Sequence, residues 1–295
     1  MIRKVILFSL GNKGLATLES LLREGYADLI EAVVIGKDKN VVNDYAEEQI
    51  EMCKANGILY TFKNQKHDFK ANFWFAIGWR WLIKEPKDVS LIIFHESLLP
   101  KYRGFAPLVN QLINGEKKIG VTALLASENF DEGPVIAQES VEVNYPIKIE
   151  NAIELVSILY SKIAIGVIKT IKAVHNLELT PQDESLATYS VWRDEEDYFL
   201  NWNHSAERIA RSVDALGFPY IGAKAYIANQ EVTIDAVTLI PDVQIENRDV
   251  GKVMFIKDQK PIVICKTGLI RIDKATYIGS GKSALPLTKF RSRFK

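Results

Sequence analysis

The feature that most constrains the fold of this chain is an alternation of short apolar runs with helical segments through its first half. Five runs have the length and composition of buried strands, at residues 4–9, 29–36, 58–62, 72–78 and 90–95. Helical segments at residues 15–24, 41–56 and 105–114 separate or follow these runs. Because parallel strands need helical crossovers, the alternation predicts an α/β domain built on a doubly wound parallel sheet.

The second half of the chain has a different pattern. Two more strand-like segments, 120–127 and 135–143, precede a long amphipathic helix predicted over residues 149–175. After a helical segment at 205–216, five short alternating segments follow from residue 223 onward, which predicts a small antiparallel barrel of the OB-like kind. We therefore expect a larger first domain at residues 1–180, a linker at 181–200 and a smaller second domain at 201–295.

Charge and cysteine content exclude several protein classes. The 295 residues include 37 Lys and Arg and 37 Asp and Glu, and this balance argues against a general nucleic-acid or membrane-surface binder. The two cysteines, Cys53 and Cys265, are too few for a disulfide framework or a cysteine-based zinc site. No uninterrupted apolar stretch reaches the roughly 18–20 residues of a membrane span, and the apolar run near the N-terminus lacks a signal-peptide cleavage pattern. These observations predict a cytoplasmic protein.

Two polar residues stand at the ends of predicted strands. His95 lies at the carboxyl end of a predicted parallel strand, where open α/β sheets bind their ligands. Asp131 follows an apolar strand and precedes a glycine turn. They are candidates for a general base and the carboxylate that orients it, although a structural histidine and a turn-forming aspartate fit the same pattern.

A glycine-bounded turn follows the first strand at Gly11–Gly14. It lies before a predicted helix N-terminus, so it suits either a phosphate contact or a tight turn without a ligand. The spacing is not the G-x-G-x-x-G of dinucleotide-binding proteins, which disfavours a dehydrogenase.

Several motifs resemble those of the folate-dependent formyltransferase family. They are SLLPKYRG at 97–104, NGEKKIGVTAL at 114–124 and the Asp131-x-Gly133 turn. RDEEDYFLNW, ERIARSVDAL, PYIGA and GKV in the second half are similar to the C-terminal domain of its methionyl-tRNA and amino-sugar branches. The resemblance extends over nearly the whole chain. It implies a Rossmann-like formyl-transfer domain followed by an OB-like barrel, in agreement with the pattern above.

The resemblance also implies roles for individual residues. His95 and Asp131 match the family's catalytic His and Asp, and 10-formyltetrahydrofolate is the expected co-substrate, with no metal. The expected folate contacts are Trp81, Leu82, Ile83, Glu128, Asn129 and Glu132. The expected contacts to the acceptor substrate are Asn12, Lys13, Gly14, Lys101, Tyr102, Arg103 and Gly104.

One catalytic position departs from the family. Members have an Asn two residues before the His, and here that position is Ile93. An apolar side chain cannot donate a hydrogen bond to a developing oxyanion, and loss of one such donor costs about 10²–10³ in rate. Either another polar group, such as Glu96 or Thr122, supplies the donor, or the enzyme is slow or has lost catalysis.

The acceptor is expected to be small. Methionyl-tRNA formyltransferases have a long basic insertion after the second strand, whereas this chain has Lys37 and Lys39 there and no Arg. In ERIARSVDAL, Asp214 stands where the family usually has Arg. We expect a UDP- or dTDP-linked amino sugar as acceptor and no nucleic-acid or membrane partner. The alternatives are methionyl-tRNA, hydrolysis of 10-formyltetrahydrofolate, and a member that only binds its ligands. A homodimer is left open.

Overall fold

The computed structural model describes residues 3–84, 86–173 and 176–295. The chain divides into two compact units. The first contains Met1–Leu108, Lys117–Val143 and Asn151–Val191, and the second contains Val109–Glu116, Asn144–Glu150 and Trp192–Lys295. The last change of unit falls between residues 191 and 192, inside the predicted linker, and two short segments of the first half also belong to the second unit.

The strands of the first unit are β1 (Val5–Ser9), β2 (Ile30–Ile35), β3 (Leu59–Phe62), β4 (Phe73–Ile77), β5 (Ser90–His95), β6 (Arg103–Gly104), β7 (Lys118–Leu125), β8 (Val135–Glu142) and β9 (Tyr189–Ser190). Seven of them form one sheet of order β3-β2-β1-β4-β5-β7-β8, and β6 and β9 form a separate parallel pair. The first five strands of the sheet order are parallel, as predicted, whereas β7 is antiparallel to β5 and β8 is antiparallel to β7. The connection between β7 and β8 is too short for a helical crossover, so these two strands pair antiparallel.

The first helix begins earlier than the sequence predicts. The described residues before 180 form four α-helices, namely α1 (Gly11–Arg23), α2 (Ala46–Ala55), α3 (Pro107–Asn114) and α4 (Ile149–Ala173). Gly11 has a φ of +67°, which turns the chain from β1 directly into α1. A Cβ on Gly14 would lie 2.1 Å from Ser9 Oγ, so only glycine lets the helix pack this closely on the strand. The predicted turn at Gly11–Gly14 is therefore the first turn of α1.

The long helix α4 matches its prediction up to Ala173, and residues 174–175 of that prediction lie outside the described residues. Within the described chain, α4 is the one helix long and apolar enough to cross a membrane by length and composition. The sequence predicts no membrane span. However, 56% of its apolar stretch is buried inside the protein, as in the core helix of a globular domain.

Strand β5 carries the catalytic candidate on one of its two faces. Leu91, Ile93 and His95 alternate with Ile92 and Phe94, so the first three side chains share a face of the sheet. Ile93 pairs with Ala76 of β4 on one side and with Leu124 of β7 on the other. His95 is thus held at the carboxyl edge of the sheet, on the same face as Ile93.

The α-helix and strands of the second unit beyond residue 192 are α5 (Ala206–Leu216), β10 (Ala223–Ile227), β11 (Gln230–Ile240), β12 (Val253–Lys257), β13 (Lys260–Ile264) and β14 (Leu269–Tyr277). The five strands form an antiparallel sheet of order β10-β11-β14-β13-β12, and most of α3 also belongs to this unit. The Ser205 hydroxyl caps α5 by accepting from the Arg208 amide. Near the C-terminus, Phe294 bridges to β10 and Arg293 bridges to Lys252 beside β12. The last residues therefore connect both edge strands, as closure of the predicted barrel requires.

Candidate active site

His95 is buried at the end of β5, with 7% of its side chain exposed. Its Nε2 lies 2.7 Å from the carbonyl oxygen of Tyr102, and its Nδ1 lies 3.4 Å from Oδ2 of Asp131. The predicted pair of His95 and Asp131 is therefore brought together in the structure. The distance between Nδ1 and the carboxylate is long for a hydrogen bond, as catalytic contacts often are without substrate.

Both ring nitrogens of His95 face acceptors. A carbonyl oxygen and a carboxylate cannot donate, so a neutral ring satisfies one of them and a protonated ring satisfies both. Both ring nitrogens are therefore engaged within the protein, and His95 can stabilise negative charge that develops beside it when that charge replaces one of the two acceptors.

Asp131 is fixed by its backbone as well as by its side chain. Its Oδ2 accepts from the Gly104 amide at 2.8 Å, and 11% of its side chain is exposed. Its φ of +59° and that of Tyr102, +60°, lie in the left-handed region. Such conformations cost about 1–3 kcal/mol each and persist only where the surroundings enforce them. The two residues that contact His95, Tyr102 and Asp131, thus both have a strained backbone conformation.

The expected contact of Arg103 with the acceptor does not agree with its environment. Its side chain is fully buried, and its guanidinium binds Glu184 through two hydrogen bonds of 2.7 Å. It also donates to Gln182 Oε1, at 2.9 Å from Nη2. The hydrogen bonds with Glu184 raise the pKa of Arg103 and lower that of Glu184. Because its donors are used inside the protein, we assign Arg103 to the support of the site and not to substrate binding.

Neither polar candidate for the missing Asn is available as a donor. The Thr122 hydroxyl donates to the Ser97 carbonyl at 2.7 Å and accepts from the Leu99 amide at 3.1 Å. The Glu96 carboxylate forms an ion pair with Lys13 and accepts from the Tyr160 hydroxyl at 3.2 Å. Both groups are occupied in holding the chain around His95.

Ile93 itself lies in an apolar environment. It is partly buried and packs on the cluster of Ile6, Phe8, Val34, Trp74, Ala76 and Leu91, together with Trp79 and Ile83. The position that holds an amide in the family is thus part of a hydrophobic surface in this chain.

Lys13 and Tyr160 link two helices to the catalytic edge. Tyr160 of α4 also donates to the Phe94 carbonyl at 2.9 Å. Complete burial and the neighbouring Glu96 carboxylate raise the pKa of Tyr160 well above its usual value. Tyr160 therefore stays neutral and donates, and Lys13 is held beside the residue that follows His95.

A second group of side chains lies at the ends of β2 and β4. Trp79 and Trp81 meet edge to face with ring centroids 5.0 Å apart. A Cβ on Gly36 would lie 2.8 Å from Trp81 and 3.1 Å from Trp79, so the glycine makes room for both rings. Lys63 Nζ lies 4.3 Å from the centroid of Trp81. Two of the predicted folate contacts, Trp81 and the half-buried Ile83, thus border an aromatic surface, whereas Leu82 is 79% exposed.

The other predicted contacts occupy three further places in the unit. Glu128 and Asn129 are exposed on the loop between β7 and β8, where Asn129 donates to Glu132 at 2.8 Å. Lys101 is exposed, and Gly104 contacts Asp131. Asn12, Lys13 and Gly14 lie in the first turn of α1. In the described part of the chain, no group of three or more His, Cys, Asp or Glu side chains is placed to hold a metal ion.

Sequence reasoning missed the residues that support His95 from a distance. Gln182, Glu184 and Thr188 contact the loops of Asp131 and Tyr102, yet they lie in or beside the segment predicted as a linker. Neither periodicity nor a chemical motif distinguishes them, because their partners lie 51 to 86 residues away in the chain.

Comparison with known proteins identifies the family. The profile described as Formyl transferase matches residues 77–154, and that described as Formyl transferase, C-terminal domain, matches residues 193–294. The chain belongs to the formyl transferase family. The methionyl-tRNA formyltransferase of Kosmotoga olearia is 31% identical over 185 residues, which are 63% of this chain and 58% of the relative. The chain thus spans about three fifths of the length of the curated formyl transferases that it matches first.

Solved structures of formyl transferases have the same fold. The N-formyltransferase from Helicobacter canadensis, solved with folinic acid and dTDP-3-aminofucose, aligns with a TM-score of 0.65 and 18% identity. That alignment covers 92% of this chain and 98% of the other. The methionyl-tRNA formyltransferase from Clostridium thermocellum aligns with a TM-score of 0.55 and 18% identity, over 80% of this chain and 93% of the other. At this identity the comparison establishes the architecture of a sheet domain and an antiparallel C-terminal unit.

Proposed function

We propose that this protein is an N-formyltransferase that moves the formyl group of 10-formyltetrahydrofolate to the amine of a nucleotide-linked amino sugar. The observation that supports it most is the pair of His95 and Asp131, buried at the carboxyl edge of the sheet of a formyl transferase fold. A donor and an acceptor of protons in contact at such an edge suit transfer of an acyl group to an amine.

The aromatic surface fits a folate. Trp79 Nε1 is buried and has no hydrogen-bond partner among the described residues. The backbone at Trp81–Ile83 belongs to no helix or strand and makes no backbone hydrogen bond to the other described residues, so its amides and carbonyls are available to the edge of a pterin ring. Flat rings beside such a polar backbone suit a flat heteroaromatic ligand. When bound, the folate supplies an activated formyl carbon. The residues that we propose to hold it are Trp81, Leu82, Ile83, Glu128, Asn129 and Glu132.

The chemistry then divides between two side chains. As the amine adds to the formyl carbon, His95 Nε2 exchanges the Tyr102 carbonyl for the oxygen that becomes negative and donates a hydrogen bond to it. Asp131, 3.4 Å from His95, keeps the ring oriented and accepts the proton that the amine loses. It returns that proton to the folate nitrogen as the bond between this nitrogen and the formyl carbon breaks. Burial of both groups strengthens these interactions, because little water competes with them.

The charges around the site favour a small acceptor over tRNA. Recognition of a nucleic acid needs several cations that are free to bind phosphates. Near this edge, Arg80 lies 2.6 Å from Asp38, Lys37 lies 3.1 Å from Glu47, and Lys13 pairs with Glu96. These three cations are paired with acids of the same unit. Lys63 over Trp81 and the exposed Lys101, together with the start of α1 at Asn12–Gly14, remain for the one or two phosphates of a sugar nucleotide.

Methionyl-tRNA is the second candidate acceptor, because the curated formyl transferases that match in sequence act on it by name. The two candidates can be separated in one assay. Purified protein is incubated with 10-formyltetrahydrofolate and with dTDP-3-aminofucose, a UDP-linked 4-amino sugar, methionyl-tRNA or no acceptor, and the formylated product is identified by mass spectrometry.

Formylation of a sugar nucleotide supports the proposal, and formylation of methionyl-tRNA alone would replace it with the second candidate. Release of formate without an acceptor indicates a hydrolase. Folate binding without turnover indicates a binding protein. Asp131→Asn is the matched control, because it keeps the shape of the side chain and removes its capacity to accept a proton.

A further inference from the structure

The segment that leads out of the sheet domain contacts both partners of His95. The Gln182 amide Nε2 donates to the Asp131 carbonyl at 2.7 Å and to the Gly133 carbonyl at 2.8 Å. These two bonds fix the turn on which the Asp131 carboxylate stands. Gln182 Oε1 in turn accepts from the buried Arg103, which orients the amide so that its nitrogen faces the turn.

Thr188 fixes the other partner. Its Oγ1 accepts from the Tyr102 amide at 2.9 Å, and its carbonyl accepts from the Arg103 amide at 2.8 Å. The pairing continues where β9 aligns with β6 and the Phe105 amide donates to the Ser190 carbonyl at 3.0 Å. The Tyr102 carbonyl, which faces His95 Nε2, is thus held from the side opposite the histidine.

The strained conformations explain why such support is needed. Tyr102 and Asp131 both have positive φ, and neither is glycine. A free loop would relax such residues, and the contacts to His95 would then lengthen. The hydrogen bonds that Gln182 donates and those that Thr188 accepts are placed to prevent this.

We infer that Gln182 and Thr188 are positioning residues of the active site. Gln182 sets the Asp131 carboxylate and Thr188 sets the Tyr102 carbonyl, so that a segment of the domain connection fixes the two acceptors of His95. The kinetic consequences rest on the proposed formyl transfer, whereas the structural consequence for the His95 ring does not.

The first test is the ring of His95 itself. ¹⁵N NMR of the four histidines reports which ring nitrogens are protonated, and His95→Gln assigns the relevant signals. We expect Gln182→Glu and Thr188→Val to shift the His95 ring signals. Thr188→Ser, which keeps the hydroxyl, and Ser185→Ala, whose hydroxyl bonds only to the nearby Asp183, should leave them unchanged. Unchanged His95 signals in folded Gln182→Glu and Thr188→Val would overturn the inference.

The second test is kinetic, with 10-formyltetrahydrofolate and dTDP-3-aminofucose as substrates. Displacement of a catalytic group by about 1 Å costs about 10²-fold in rate, so we expect Gln182→Ala to lower kcat by about 10- to 100-fold. The KM for the sugar nucleotide should change less than about threefold, because Gln182 holds the Asp131 turn and not the proposed phosphate contacts at Lys101 and at the start of α1. In an Asp131→Ala background the same substitution should have almost no further effect.

The outcomes separate the two proposals. An equal fall in kcat on Gln182→Ala in the wild-type and Asp131→Ala backgrounds contradicts the positioning role. A change in KM without a change in kcat contradicts it as well. Absence of turnover in the wild type, together with shifted His95 signals in the variants, contradicts the proposed function and leaves the positioning role supported. If Gln182→Ala does not fold, Gln182→Glu and the matched pair Thr188→Val and Thr188→Ser decide the question.

Discussion

Replacement of Ile93 by Asn would test whether the site lacks an oxyanion donor. Ile93 and His95 project from the same face of β5, about 6–7 Å apart along the strand. An oxygen between them can lie about 3 Å from donors on both. Because one donor of this kind is worth about 10²–10³ in rate, Ile93→Asn should raise kcat, by up to that factor if the amide reaches the oxygen.

The stability cost can be worked out from the packing of Ile93. A fully buried isoleucine contributes about 1.5–3 kcal/mol, so the half-buried Ile93 contributes roughly half of this. An amide without a partner on this apolar surface costs about 1–3 kcal/mol more. The sum of about 2–4 kcal/mol corresponds to a fall in Tm of roughly 5–15 °C.

The assay compares wild type, Ile93→Asn and Ile93→Leu. Leucine has the shape of asparagine without its polar atoms, so it reproduces the packing change and adds no donor. Single-turnover formyl transfer measures the chemical step, and thermal unfolding measures stability. A folded Ile93→Asn that is no faster than Ile93→Leu would refute the reasoning, since another group must then already donate to the oxyanion.

Three further predictions concern single side chains. His95→Ala should lower kcat by at least about 10²-fold with little change in Tm, and near-normal turnover would remove His95 from the mechanism. A hydrogen bond from Arg248 lowers the pKa of Asp242 from 3.8 to about 2. The ionised Asp242 carboxylate therefore contributes fully to stability above about pH 4, and this contribution is lost as the pH falls towards 2. In urea unfolding, the difference in free energy of unfolding between wild type and Asp242→Asn should shrink over that range. A difference that does not change with pH contradicts this. Burial raises the pKa of Cys53 to about 11 and that of Cys265 to about 12, so neither thiol should react with a disulfide reagent at pH 8 until the protein unfolds, and rapid labelling of the native protein would contradict this.

Much of the sheet domain could be predicted from local patterns. The apolar runs that predict strands coincide with β1 to β5 within one or two residues. His95 and Asp131 could be singled out because strand ends and glycine turns are visible in the sequence. The start of α1 was misplaced because Gly11 and Gly14 resemble a loop, although here they allow a sharp entry and close packing.

The direction of β7 against β5 and the burial of Arg103 could not be predicted in the same way. The antiparallel pairing of β7 with β8 follows from their short connection, but residues 96–117 between β5 and β7 are long enough for either direction, and periodicity within a strand does not record its direction. Arg103 lies in the motif SLLPKYRG, which the family resemblance assigns to substrate binding. Its buried ion pair was not predictable, because its partner Glu184 lies 81 residues further along the chain.

The sequence by itself determined the order of strands and helices, the change from an α/β domain to an antiparallel unit, and the residue types available for catalysis. These features depend on the spacing of apolar residues over a few positions. Only the tertiary structure decided that Gln182 and Thr188 hold the two acceptors of His95, and that Glu96 and Thr122 are occupied elsewhere. The reason is physical, because a hydrogen bond between distant segments depends on where the whole chain packs them and leaves no periodic trace in either segment.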